Sequence, residues 1–133
     1  MSAKNQRGFT VLELIVVIIF VLAAGTIFYV QKRDLEVTQR DSQRKTAINT
    51  LYYNLEDVYF PTAKAYPEKL TADQLRGIDP NILKDPHGVA VGEQGSDYRY
   101  EPKDCKGGLC KSYTLTANLE HEADFTKNSR NNN

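Results

Sequence analysis

The sequence lacks both an excess of charge and any familiar catalytic motif. Its 133 residues include 17 basic and 17 acidic side chains, which balance at neutral pH. Composition therefore gives no argument for binding nucleic acid. No G-x-S-x-G, H-E-x-x-H or P-loop sequence occurs, and neither histidine has a serine or cysteine partner in a recognisable motif. We expect a structural or interaction protein with no enzymatic activity and no cofactor, and we predict no particular nucleic-acid partner.

Proline is missing from the first 60 residues, and Gly25 is the only glycine between Phe9 and Phe60. The same stretch holds a long apolar run, 17 residues from 14 to 30, or 22 residues when counted from Phe9. As a helix, this run is long enough to cross a bilayer core of about 30 Å. We therefore predict one membrane-spanning helix near the N-terminus.

Basic residues flank the apolar run on both sides. Lys4 and Arg7 precede it, which favours an N-terminus held in the cytoplasm, while Lys32 and Arg33 follow it and weaken that asymmetry. A cleaved secretory signal is the alternative, because the AAG sequence at 23–25 could serve as a small-residue cleavage site. The apolar run continues past that site through TIFYV, which favours the membrane helix.

The helix is expected to continue beyond the membrane. Residues 31–47 contain no glycine or proline and many good helix formers. Apolar residues then recur at helical spacing and define one face, made of Ile48, Leu51, Tyr52, Leu55, Val58 and Tyr59. We predict a single helix from about residue 9 to residue 60, ended by Pro61, whose second half, 31–60, is amphipathic and packs on a small domain.

Residues 61–125 are predicted to form a small, turn-rich globular domain. A short helix would start at Thr71, and the DPHG sequence at 85–88 matches a β-turn. Short apolar or alternating runs predict three strands, at 89–91, 97–101 and 112–120. An antiparallel sheet packed on the long helix gives an α+β fold. Residues 126–133 are expected to be a disordered tail.

The only two cysteines, Cys105 and Cys110, bracket two glycines in the sequence KDCKGGLCK. Such a loop can bring the two Cα atoms within disulfide range. We predict a disulfide, since an even pair of cysteines in an extracytoplasmic segment is typical of one. A zinc site that uses both cysteines with His87 and His121 is the alternative, although it lacks the paired ligand spacing of known zinc frameworks.

Four acidic residues lie near the cysteine loop in sequence, namely Glu93, Asp97, Glu101 and Asp104. Their oxygens could coordinate calcium, but no EF-hand spacing is present, and a solvated strand edge explains the same residues. We therefore predict no metal site.

The stretch RGFTVLELIVVIIFVLAAG closely resembles the processing site and N-terminal helix of type IV prepilins and pseudopilins. Gly8, Phe9, Thr10 and Glu13 match the family pattern of a short basic leader, then Gly, Phe and Thr, with Glu at the fifth mature position. The resemblance is strong over residues 4–30, and the helical architecture extends it to about residue 60. Further along, DPHG…YRYEP is similar to a segment of several pseudopilins, and YTLTANLE is similar to the last strand of small pilins.

The resemblance implies how the chain is processed and where it goes. A prepilin peptidase would cleave between Gly8 and Phe9, removing the leader 1–8, and the new Phe9 amine would be N-methylated. Residues 9–30 would span the cytoplasmic membrane, N-terminus inside, and later form the core of a cell-surface or extracytoplasmic filament. The implied partners are copies of the chain itself, other pilins or minor pilins, the prepilin peptidase, an inner-membrane platform protein and an assembly ATPase.

Glu13 interrupts the apolar run, where an unpaired carboxylate is costly. The amine created at Phe9 lies four residues away and would offset that charge. We expect Thr10 and Glu13 to act in assembly and register, with Glu13 bound to the Phe9 amine of a neighbouring subunit. Pairing with the amine of its own chain is the alternative.

Two features of the family are missing from this sequence. The apolar helix has Gly25 but no proline, and the G-x-D-G calcium-loop ending of the major secretion pseudopilins is absent. The resemblance implies a filament subunit that serves adhesion, motility, DNA uptake or protein secretion, without distinguishing between these roles. The alternative is a monomeric, single-pass membrane-anchored module that binds a ligand outside the cytoplasm.

Overall fold

The computed structural model describes residues 10–131, and the chain divides into two compact units, Met1–Glu36 and Val37–Asn133. The predicted leader 1–8, the Gly8–Phe9 junction and residues 132–133 lie outside the described residues. The prediction of an α+β fold is confirmed, since one long N-terminal helix packs its second half against small antiparallel sheets.

Helical structure runs without a gap from residue 11 to residue 63. Helix α1 spans Val11–Tyr53, a π-helical turn spans Asn54–Tyr59, and the single-turn helix α2 spans Phe60–Ala63. Pro61 was expected to end the helix, but it lies in the first turn of α2, which follows the π-helical turn directly. The helical chain therefore ends three residues later, where Lys64 takes the left-handed conformation with φ of 56°.

The buried face of α1 begins in the unit Val37–Asn133. It comprises Asp41, Arg44, Ala47, Ile48 and Leu51. Leu55 continues it, whereas Val58, which the helical spacing placed on the same face, is 49% exposed. The π-helical turn explains the difference, because its wider turn rotates the residues that follow out of the α-helical register.

Two antiparallel sheets cover this face. Strands β2 (Tyr98–Lys103), β4 (Ser112–Ala117) and β5 (Phe125–Asn128) form a three-stranded sheet in the order β2–β4–β5. Strands β1 (Tyr66–Pro67) and β3 (Leu109–Cys110) form a separate pair. The second and third predicted strands are thus confirmed with shifted ends, since β2 begins one residue later than expected and β4 ends at Ala117.

The core between helix and sheet is rich in tyrosine. Tyr66 meets the ring of Tyr113 edge-on at a centroid distance of 4.7 Å and stacks on Phe60 at 5.0 Å. Ile48 and Leu115 are fully buried and belong to the same core cluster. Aromatic pairs in these geometries add stabilisation beyond the area they bury.

Two local predictions in the domain were wrong. Residues 89–91 do not form a strand, because only Ala90 makes a β-bridge, to Lys84. The segment that starts at Thr71 is a turn, and the short helix of this region is instead a 3-10 helix at Pro80–Leu83, capped by the side chain of Asp79.

The prediction of a disordered tail at 126–133 was also wrong for residues 126–131, which the structure describes. Residues 125–128 form β5 and pair with β4 in register. The hydroxyls of Thr116 and Thr126 lie 3.2 Å apart across the strands. Ser129, 4% exposed, then donates its N–H to the carbonyl oxygen of Tyr113 at 3.0 Å. Strand pairing rather than local hydrophobicity therefore orders this segment.

Candidate functional site

Thr10 and Glu13 close a hydrogen-bonded cap at the start of α1. The backbone N–H and the hydroxyl of Thr10 donate to Oε2 of Glu13 at 3.0 and 3.2 Å. In return, the backbone N–H of Glu13 donates to Oγ1 of Thr10 at 3.3 Å. This reciprocal pattern is a capping box, in which two otherwise unpaired donors of the first helical turn are satisfied.

The cap gives the Glu13 carboxylate hydrogen-bond partners within its own chain. The amine of Phe9, the partner predicted from the sequence, lies outside the described residues, so pairing between subunits stays a prediction. The signal for the cap was present as T-x-x-E directly before an apolar run. Thr10, predicted to act beside Glu13, is the residue that holds it in the single chain.

The side chains that follow the cap form an apolar surface. The large hydrophobic residues from 11 to 30 are 45–76% exposed. The segment contains an 18-residue window with a mean hydropathy of 2.8, none of it buried. By length and composition this helix could cross a membrane. An exposed apolar surface of this size requires a cover of lipid or protein.

Cys105 and Cys110 are joined by a disulfide, so the predicted pair is confirmed. Their Cα atoms are 3.9 Å apart, closer than in most disulfides. The loop between them turns through Gly107 and Gly108, whose φ angles are 61° and 81°. A two-residue hairpin of this kind needs the left-handed conformation at both central positions, which only glycine adopts at no steric cost.

The disulfide also bears on the metal alternatives. Oxidised cysteines cannot act as thiolate ligands, so the zinc alternative loses two of its four proposed ligands. Asp97, one of the four acidic residues considered for calcium, is bound by Arg44 instead. Within residues 10–131, no three His, Cys, Asp or Glu side chains are grouped so that they could hold a metal ion.

A buried ion cluster joins α1 to the loops that flank the three-stranded sheet. Arg44, only 2% exposed, donates to Oδ1 of Asp41 at 2.8 Å, to Oε1 of Glu120 at 2.8 Å and to Oδ2 of Asp97 at 2.7 Å. Arg40 donates two further hydrogen bonds to Glu120, at 2.8 and 2.7 Å. Hydrogen bonds between charged groups are stronger than those between neutral groups. This cluster therefore fixes the sheet against the helix.

The same contacts keep the acidic members of the cluster ionised. Burial alone would raise the pKa of Asp41, but backbone N–H groups of Glu120 and His121, together with Arg44, outweigh it and hold this pKa below its ordinary value. Hydrogen bonds from Arg40 and Arg44 lower the pKa of Glu120 from 4.5 to about 2. Both carboxylates are therefore charged at neutral pH.

Asp85 organises the loop before β2. Its Oδ1 accepts the N–H groups of His87 and Val89, and its Oδ2 accepts the N–H of Asp97, all at 2.9 Å. The backbone N–H of Gly88 donates to the carbonyl oxygen of Asp85 at 2.9 Å, which confirms the predicted β-turn. Burial opposes ionisation of Asp85, but the three N–H donors prevail and lower its pKa.

Glu56 is a further buried carboxylate, 5% exposed, and it is bound by hydroxyl and amide groups. Its Oε2 accepts the hydroxyl of Tyr66 at 3.0 Å, and its Oε1 accepts the hydroxyl of Tyr113 at 2.9 Å and the N–H of Arg130 at 3.2 Å. Burial, with the hydrogen bond that each donates to Glu56, raises the pKa of both tyrosines. Glu56 thus ties the helix to β1, β4 and the segment after β5.

Sequence reasoning missed these buried charges. Stepping back from Ile48 by the spacing of the apolar face reaches Arg44 and then Asp41, so the periodicity could have placed both inward. A carboxylate at Glu56 is ordinarily assigned to solvent, because buried acids are rare unless paired. Its hydroxyl partners come from other segments of the chain, so no local sequence pattern predicts these contacts.

Comparisons of the chain with protein-family models, with curated proteins and with solved structures found no match. The absence of enzymatic activity stays a prediction from the sequence.

Proposed function

We propose that the chain is a pilin-like structural subunit of a type IV filament, a pilus or a pseudopilus. Its precursor is inserted in the cytoplasmic membrane with the N-terminus inside, is cleaved between Gly8 and Phe9, and is N-methylated at Phe9. The mature subunit then leaves the membrane and joins a filament outside the cytoplasm. The implied machinery is a prepilin peptidase, a platform protein and an assembly ATPase, and other pilins or minor pilins share the filament.

One observation carries the proposal. An exposed apolar helix begins immediately after a Gly-Phe junction, and its only acidic residue before Asp34 is Glu13, held in the first turn by Thr10. An ordinary membrane anchor has no need of an acid at that place, because the same helix without it would insert more favourably. A subunit that must align with identical copies does have a use for one buried polar pair, which can fix register.

The rest of the described chain supports the same proposal. The α+β domain is small, closed by a disulfide and held by buried ion and hydroxyl contacts, and its buried carboxylates, Asp41, Glu56 and Asp85, are bound by structural partners. Disulfides persist outside the reducing cytoplasm, which agrees with a domain displayed beyond the membrane.

Replacement of Glu13 tests the proposal in cells that carry the assembly machinery. We expect Glu13→Ala to insert in the membrane as the natural chain does, but to lower the amount of subunit recovered in the sheared-filament fraction strongly. The matched control is Glu36→Ala, an exposed acid on the same helix whose carboxylate lies 4.0 Å from the ammonium of Lys32. This control should yield filaments at the natural level.

Two results would count against these statements. Normal filaments from Glu13→Ala would show that this carboxylate does not set register. A natural chain that stays monomeric in the membrane while the machinery assembles other pilins would support the membrane-anchored binding module instead.

A further inference from the structure

The residues directly after the apolar run place an aromatic ring and two cations on one helical face. The face contains Tyr29 and the residues three, four and seven positions after it, which are Lys32, Arg33 and Glu36. This spacing places the four side chains on one side of α1. They line a shallow cleft of about 390 Å³. The ring of Tyr29 is 63% exposed, and the side chain of Lys32 is 66% exposed.

The face is positively charged. Its one acid, Glu36, lies 4.0 Å from the ammonium of Lys32, and both side chains are more than half exposed. An ion pair this long and this exposed contributes little attraction, so Lys32 is available to bind another anion. Asp34 follows in sequence but lies about 140° round the helix from Tyr29, outside the arc of about 100° that holds the other four residues. The cleft therefore presents an ammonium, a guanidinium and a phenol hydroxyl to one small volume.

The distance along the helix places this face at a membrane boundary. Nineteen residues separate Glu13 from Lys32, which corresponds to about 29 Å of helix, close to the roughly 30 Å thickness of a bilayer core. No Lys or Arg occurs between residues 10 and 31, so Lys32 and Arg33 are the first cations after the capped start. Tyrosine favours the interface, and Lys and Arg extend their heads towards the phosphates there.

We propose that Tyr29, Lys32 and Arg33 bind the headgroup of an anionic glycerophospholipid at the outer boundary of the membrane, before the subunit enters a filament. The guanidinium offers paired donors that match phosphate oxygens, and the ammonium adds a second, more compact charge. Bound lipid fixes the depth at which the helix rests. The inference rests on the membrane anchoring contained in the proposed function.

The test uses the full-length chain reconstituted in vesicles of phosphatidylcholine, with or without phosphatidylglycerol. The chain has no tryptophan, so Tyr29→Trp introduces a single fluorescent reporter at the site. We expect phosphatidylglycerol to be enriched among the lipids that remain bound after gentle detergent extraction, measured by native mass spectrometry. Lipids with a spin label at the membrane interface should quench the fluorescence of this tryptophan. The quenching should increase with the phosphatidylglycerol content of the vesicles.

Removal of the cations should abolish this preference. Each of Lys32→Gln and Arg33→Gln should lower the enrichment of phosphatidylglycerol about fivefold, the effect expected of one cation near an anionic surface. Glu36→Gln should raise it. The control pair, Arg76→Gln and Lys84→Gln, removes two exposed cations from the unit Val37–Asn133 and should leave it unchanged.

The outcomes separate this inference from the one on which it rests. A chain that fails to float with vesicles would overturn the membrane anchor and the lipid site together. A chain that floats but binds both lipids in proportion to their abundance, or keeps its preference without Lys32 and Arg33, would overturn the lipid site alone.

Discussion

Glu13 and Thr10 show how one carboxylate can be stabilised at the edge of an apolar helix. In the single chain, the acid completes a capping box and receives two hydrogen bonds from Thr10. Cleavage before Phe9 would place an ammonium one helical turn away and offer the same carboxylate a charged partner. The two hydrogen bonds from Thr10 use only Oε2 of Glu13, so Oε1 would be available to that amine in the proposed mature subunit.

Replacement of Thr10 separates the cap from the charge. Thr10→Val removes the hydroxyl but keeps Glu13, and it should weaken the start of α1 by about 1 kcal/mol. We expect the amides of the first helical turn to exchange with solvent about fivefold faster in detergent micelles. Thr10→Ser keeps the hydroxyl oxygen and should retain the protection of the natural chain. Equal exchange in all three proteins would show that the box contributes nothing to helix stability.

Glu120 makes the stability of the folded domain dependent on pH. Hydrogen bonds from Arg40 and Arg44 lower its pKa from 4.5 to about 2, so its stabilising contribution is complete above pH 4.5 and is lost as the pH falls towards 2. Asp41 and Asp85, whose pKa values are also lowered, act in the same direction. We expect the denaturation midpoint of the full-length chain in detergent to fall across this range.

The matched variant for this titration is Glu120→Gln, which cannot ionise. Its free energy of unfolding should be lower at neutral pH and should depend less steeply on pH between 4.5 and 2, because one of the linked carboxylates is gone. Identical pH profiles for the natural chain and the variant would contradict the assigned role of Glu120.

At the scale of elements, local sequence explains the hairpin and the central strands but not the edges of the domain. Residues 112–117 alternate their apolar side chains, and two consecutive glycines require a tight turn, so β4 and the cysteine loop were predictable. Strand β5 has the sequence FTKN, in which only Phe125 is strongly apolar. Its order comes from pairing with β4, a contact that the local pattern does not encode.

The helix illustrates the same limit. Its periodicity located Ile48, Leu51 and Leu55 correctly, since each is fully buried. The periodicity failed at Val58, because the pattern assumes a constant 3.6 residues per turn and the π-helical turn breaks that assumption. Buried acids such as Glu56 were missed for a different reason, because their partners are assembled by the tertiary fold.

The disulfide stabilises one element, the β3 hairpin that pairs with β1. Its loop is short, so the chain-entropy model gives about 2 kcal/mol of stabilisation. We expect Cys105→Ala with Cys110→Ala to lower the free energy of unfolding by about that amount without abolishing the fold. Chemical denaturation measures this change, and reduction of the natural chain should reproduce it.

Thiol labelling supplies the independent control for the disulfide. The natural chain, denatured without reductant, should take up no maleimide, and it should take up two after reduction, because both cysteines are bonded to each other. Labelling before reduction would contradict this bond.

At the scale of the whole molecule, each unit has its own kind of surface. The part of Met1–Glu36 that the structure describes exposes apolar side chains that require a cover, whereas Val37–Asn133 has a buried apolar core of its own. This division suits a subunit that keeps a folded domain in water while its helix passes from lipid into contact with other helices. The proposed processing step connects the two states, because it creates the amine that Glu13 needs in the second.

The mature N-terminus tests this account most directly. Mass spectrometry of the chain from membrane and sheared-filament fractions should identify a protein that begins at Phe9 and carries one additional methyl group on its amine. Gly8→Ala has the same charge and almost the same size at the junction, and comparison with it shows whether the cut depends on that glycine. A natural chain that begins at Met1 or Ser2 in both fractions would contradict the account.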